Sequence, residues 1–182
     1  MDLGSPPAQH TDPAPMEFFS GNLRRFAGWL IGLLILQLIY GAFMAGLKAA
    51  TAAPTWPSIN GVWWPENISS FGERHFAGIS FLADHPLVIH FIHRNLAYVI
   101  AILICSWTWK AFKIKGASIF QQTRTWPCLL VLLQVMLGVL TVLSIGSSTT
   151  FLWLAVAHQF IAMILLLSLF WMFYIIRSVK TV

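Results

Sequence analysis

Charge is what this sequence has least of. Of its 182 residues only 9% are charged, while 58% are hydrophobic. Soluble domains carry about 25% charged residues, so a water-exposed globular fold is excluded. Acidic residues are scarcer still, with six Asp and Glu against 11 Lys and Arg. Cysteine is limited to Cys105 and Cys128, both inside apolar runs. That excludes a disulfide framework and a cysteine metal site, and leaves two small packing residues. No secretory leader is expected either. The first apolar run is too long for a signal h-region, and no small-residue cleavage site follows it.

In place of charge there are long apolar runs. The stretches 26–47, 95–109, 125–145 and 151–176 contain no charged residue. About 20 apolar residues cross a bilayer as a helix. Three runs reach that length alone. The second does so only by extending back through His93 and Arg94 to Pro86. Ionisable groups inside a membrane are costly, so this exception is a first pointer to function.

The expected fold is an all-α integral membrane protein, a four-transmembrane-helix bundle with helices over about 23–47, 86–112, 124–145 and 150–177. These form one domain over 23–177, preceded by a polar tail over 1–22 rich in Pro, Ala and Asp. The loop from Lys48 to His85 holds Trp56, Trp63, Trp64 and several prolines. It reads as a cap on the bundle, because tryptophan favours the membrane interface.

The net charge of +5 raises the question of nucleic acid. The placement of the charges answers it. Arg24, Arg25, Lys110, Lys113, Lys115, Arg124, Arg177 and Lys180 flank one side of the spans, and only Lys48 and Arg74 flank the other. The basic excess is therefore a topology signal, and nucleic acid is not an expected partner. Both termini are expected in the cytoplasm and the 48–85 loop outside, in a bacterial inner membrane.

An internal repeat pairs Leu36-Gln37 and Gly41 with Leu133-Gln134 and Gly138. Each of these helices is followed by one carrying a histidine, His93-Arg94 and His158-Gln159. The bundle is thus expected to be two helix pairs related by a pseudo-twofold, with a site at the repeat interface. His93 and His158 each lie about 8 residues into their helices, roughly 12 Å below the outer end. Two histidines at one depth on parallel helices suit the axial ligands of one haem iron. Ala97, Ala155 and Ala162 share the histidine faces and leave room for a flat macrocycle. Small residues also serve simple helix packing, which is how the Gly41–Gly46 segment reads.

Arg94 can pair with haem propionates or snorkel to the outer interface. His90, one turn before His93, can line the pocket, replace it as a ligand, or bond the backbone. Glu66, Glu73 and Asp84 are the acidic groups on the outer side. A carboxylate there can handle protons or simply be a solvated loop charge.

Taken together, several segments resemble the haem A synthase family. They are Gly41 to Ala49 (GAFMAGLKA), Thr55 to Gly61 (TWPSING), Phe91 to Tyr98 (FIHRNLAY), Leu133 to Gly138 (LQVMLG) and His158-Gln159. The match runs over about 23–177, and its specificity lies in the order and combination of the motifs. The resemblance implies one half of an eight-helix protein built from two four-helix halves, here the C-terminal half. It implies haem B held by His93 and His158, and haem O as substrate, with a ring methyl oxidised to formyl for cytochrome oxidase assembly. His90 falls where many members have Gln. The outer loop has no cysteine, whereas the catalytic half of many members carries an outer-loop cysteine pair and an essential glutamate. A second four-helix half, or a homo-oligomer, is therefore an expected partner beside the lipid bilayer. Two other classes fit the residues alone. One is a non-enzymatic b-type cytochrome passing electrons; the other is a transporter relaying protons through its membrane histidines.

Overall fold

A computed structural model describes residues 20–65 and 70–176. Nearly all of the polar tail, together with Glu66, Arg177 and Lys180, lies outside the described residues. Four helical spans of 26 to 28 residues are long and apolar enough to cross a membrane. In chain order the helices are α1 (Gly21–Gly46), α2 (Ile79–Ala83), α3 (Pro86–Phe112), α4 (Ser118–Thr123), α5 (Trp126–Leu143) and α6 (Ser148–Ile175). A 3₁₀ turn (Ala49–Ala52) follows α1, and a small antiparallel hairpin pairs Ser70–Phe71 with Arg74–His75.

The third span differs from the expected single helix over 124–145. It starts earlier, at Ser118, and breaks between Thr123 and Trp126. Pro127 is the cause: it has no N–H to donate to the carbonyl of Thr123, and its ring crowds that turn. Proline is tolerated at the start of a new helix, which is where α5 places it. The second span begins at Pro86 for the same reason. His85 caps it, its Nδ1 accepting the Val88 N–H at 3.4 Å.

In the bundle, α1 packs on α3 and α6, and α5 also packs on α3 and α6. The helices α3 and α6 therefore stand across a diagonal. The outward faces expose large apolar side chains such as Trp29, Ile102, Leu132 and Leu167. A soluble protein does not tolerate this over so much of its surface; lipid does.

The dry core fills one half of the bundle. Leu30 and Leu34 of α1, Ile104 and Trp107 of α3, Val131 of α5 and Leu165 and Leu169 of α6 meet there. The Trp107 indole donates to the Leu23 carbonyl at 3.1 Å, which satisfies its one buried donor. Cys105 and Cys128 touch across α3 and α5 as free thiols, sulfur to sulfur 3.4 Å. In the other half, full burial stops at Gln37 on α1, Val131 on α5 and Ala162 on α6. Beyond those levels the residues around His93 and His158 are only half-buried. Exceptions include the turn Val88–His90, the 3₁₀ residues Ala49 and Ala50 of the segment it packs under, and His85, Ala53 and Ile59.

Candidate functional site

The two histidines named from the sequence come together. The ring of His93, on α3, and that of His158, on α6, have centroids 6.5 Å apart at an interplanar angle of 69°. Each ring is held by a glutamine on the neighbouring helix of its own pair. On α1, the Gln37 amide nitrogen lies 3.1 Å from His93 Nδ1 and 3.3 Å from Nε2, and donates to the His93 carbonyl at 3.0 Å. On α5, the Gln134 amide nitrogen lies 3.2 Å from His158 Nε2. His158 Nδ1 lies 3.1 Å from the Gln134 backbone carbonyl.

One turn after each glutamine comes the glycine that lets the ring approach. A Cβ on Gly41 would stand 3.4 Å from His93 Cε1, and one on Gly138 only 3.0 Å from His158 Cε1. The spacing Gln-x-x-x-Gly puts both residues on one helix face. The repeat seen in the sequence is thus a pair of histidine cradles. The helix packing expected at Gly41 is packing against the His93 imidazole.

These contacts set the tautomer of His158. A backbone carbonyl only accepts, so Nδ1 carries the proton, and Nε2 carries the lone pair that accepts from the Gln134 amide. A neutral imidazole oriented through Nδ1–H to a carbonyl is the usual form of a metal-ligating histidine; a metal at Nε2 would take the place of the Gln134 amide there. The spacing also suits a shared metal. With metal–nitrogen bonds of about 2 Å, two imidazoles on opposite sides of one ion have ring centres roughly 6 Å apart. Among the described residues no group of three or more His, Cys, Asp and Glu could hold a bare ion. Two protein ligands alone suit a metal whose remaining ligands come from a macrocycle, as in haem. The Oε1 atoms of Gln37 and Gln134 are both buried without a hydrogen-bond partner. Each such acceptor costs about 1–3 kcal/mol, which marks the cradle as a polar site within an apolar bundle.

Arg94, the residue after His93, is bonded to the outer loop and to His90. Its guanidinium donates to the carbonyls of Thr55, Pro57 and Ser58 at 2.9 to 3.2 Å, and meets His90 Nε2 at 3.0 Å. His90 is fully buried, and this nitrogen accepts from the arginine. Arg94 thereby clamps the Trp56–Pro57 loop to the turn of α3 that carries His93. The Trp56 indole adds a bond to the Tyr98 hydroxyl at 2.7 Å. His85 is enclosed by the rings of Phe71, Phe76 and Phe81. Glu73 and Asp84 are exposed, and neither makes an ion pair or side-chain hydrogen bond among the described residues. No sequence signal pointed to the loop carbonyls, because backbone acceptors are present at every residue.

The cradle geometry makes one prediction. Gly138→Ala forces the His158 ring to yield, at about 1–3 kcal/mol for an overpacked site. Its melting temperature in detergent is expected to fall well below that of Gly41→Ala. Gly32→Ala, with no atom within 4 Å of the new methyl, is the control. Equal melting of the two cradle variants would contradict the close approach at Gly138.

Fold and site together define a multi-pass helical membrane protein with a paired-histidine centre between two repeated helix pairs. Residues 7–170 match the family model described as cytochrome oxidase assembly protein, and the chain belongs to that family. It is 30% identical to a heme A synthase of Rhodospirillum centenum, over 93% of this chain and 44% of that protein. It is 35% identical to a heme A synthase of Flavobacterium psychrophilum, over 79% of this chain and 41% of the relative. A heme A synthase of Bartonella quintana is 30% identical over 67% of this chain and 33% of its own length. The matches thus cover less than half of these relatives. No solved structure matches the chain.

Proposed function

We propose that this chain is the haem-carrying four-helix half of a haem A synthase, and that His93 and His158 are the axial ligands of a haem B. The observation that carries the reading is the facing pair of imidazoles 6.5 Å apart, each in its own Gln-and-Gly cradle. The assembled enzyme would oxidise a ring methyl of haem O to a formyl group. When bound here, the haem supplies one-electron chemistry at its iron. The protein's part is to fix the two rings. The Gln134 carbonyl holds the His158 proton on Nδ1, and Gly41 and Gly138 set the depth at which the rings stand. Arg94 has the charge to pair with a propionate from the outer rim, while four of its hydrogen-bond contacts already hold the loop and His90.

The test is a reduced pyridine-haemochrome spectrum of the purified chain, taken with native mass spectrometry. One b-type haem per chain with a low-spin spectrum is expected. A colourless protein with native helical content would overturn the assignment and favour the proton-relay reading.

We also place the basic ends of the helices in the cytoplasm of a bacterial inner membrane, as the positive-inside rule directs. With Cys105 and Cys128 changed to serine, Glu73→Cys is expected to react with an impermeant thiol reagent in intact cells. Lys115→Cys should react only after permeabilisation. The reverse pattern would invert the topology.

A further inference from the structure

The basic end of the bundle holds six described cations, Arg24, Arg25, Lys110, Lys113, Lys115 and Arg124, and no described carboxylate. The described acids, Glu73 and Asp84, lie near the other end of the bundle. All three arginines are used within the protein. Arg24 Nε donates to the Phe173 carbonyl at 3.3 Å, Arg124 to the carbonyls of Ala111 and Ile114, and Arg25 to the Asn22 side chain. Lys110 and Lys113 have no hydrogen-bond acceptor among the described residues. Their ammonium groups instead lie over aromatic rings, Lys110 at 5.2 Å from the Phe26 centroid and Lys113 at 3.6 Å from that of Trp109.

These two lysines, one turn apart at the end of α3, line a recess of about 580 Å³ against the start of α1. Ser20 and Asn22 supply polar groups to it, and Leu23 and Phe26 supply apolar surface. Its size falls within the range of small-ligand sites, about 300–1,000 Å³. Exposed Trp109, Trp126 and Trp171 at the same end mark headgroup depth.

We propose that this recess binds the phosphodiester headgroup of an anionic membrane lipid. Two ammonium groups that lack a hydrogen-bond acceptor among the described residues complement the phosphate oxygens, and the polar residues at the start of α1 complement a glycerol headgroup. The apolar surface lies where the acyl chains begin. Basic pockets between transmembrane helices on the cytoplasmic side suit such headgroups. The proposal holds whatever ligand His93 and His158 take.

The experiment is native mass spectrometry of the full chain titrated with phosphatidylglycerol and, separately, phosphatidylcholine. The variants are Lys110→Gln/Lys113→Gln and, as a control of equal charge change outside the recess, Lys115→Glu. A lysine beside an anionic lipid phosphate contributes about fivefold, and with a single lipid bound in detergent only the recess lysines lie beside it. The recess variant is therefore expected to lose roughly 25-fold in phosphatidylglycerol affinity, and the control less than fivefold. Equal losses in the two variants would reduce the effect to general surface charge and overturn the site. So would equal affinity of the wild type for phosphatidylcholine. Displacement of the lipid by equimolar inorganic phosphate would assign the recess to free phosphate and overturn the lipid. If the recess variant fails to fold, the wild-type preference for phosphatidylglycerol must still fall as salt rises. A preference that salt does not change would refute the proposal.

Discussion

Alanine at His158 is expected to abolish haem retention, or to leave a high-spin species, in a chain that still folds. The two imidazoles face each other from α3 and α6, and in the proposed reading each would supply one bond to the iron. On that reading, losing one imidazole would remove a strong ligand and leave the iron open to water. His93→Ala is expected to behave alike, since its ring holds the equivalent position in the other helix pair. His90→Ala should keep the low-spin spectrum, because His90 Nε2 is bonded to Arg94. The readouts are the reduced absorption spectrum and the haem-to-protein ratio after purification. Wild-type spectra from both the His93 and the His158 variants would sink the ligand assignment. A wild-type spectrum from one, with loss in the other, would point to a replacement ligand at the first.

Haem A is expected to be absent when this chain is expressed alone in a host that makes haem O but has no synthase of its own. One histidine pair accommodates one haem, and methyl oxidation in the proposed reading also needs a substrate haem near it. The chain spans less than half the length of the relatives it matches. A second four-helix unit supplying the catalytic loop is therefore expected to be required. The described outer loop offers Glu73 and Asp84 but no cysteine. Co-expression with a separate catalytic half should restore haem A, measured by extraction and chromatography. A homodimer would provide two pockets by symmetry, both with the same loop. Haem A made by this chain alone, with native mass and cross-linking showing only a monomer, would refute the requirement.

The sequence by itself determined the four spans, because hydropathy is a sum along the chain and needs no knowledge of neighbours. It also indicated that His93 and His158 share a depth, since rise per residue converts position into distance. The match between Gln37-x-x-x-Gly41 and Gln134-x-x-x-Gly138 was visible as a repeat, but its meaning was not. These spans are apolar all round, so sequence periodicity leaves the rotation of each helix undetermined. Only the packing of α1 on α3 and of α5 on α6 shows that each glutamine and glycine face an imidazole. Arg94 illustrates the same limit from the other side. Its charge and position fitted a propionate or the interface, whereas the folded loop brings three carbonyls to its guanidinium. Those partners lie 36 to 39 residues away, and only the tertiary path of the loop brings them within hydrogen-bonding distance.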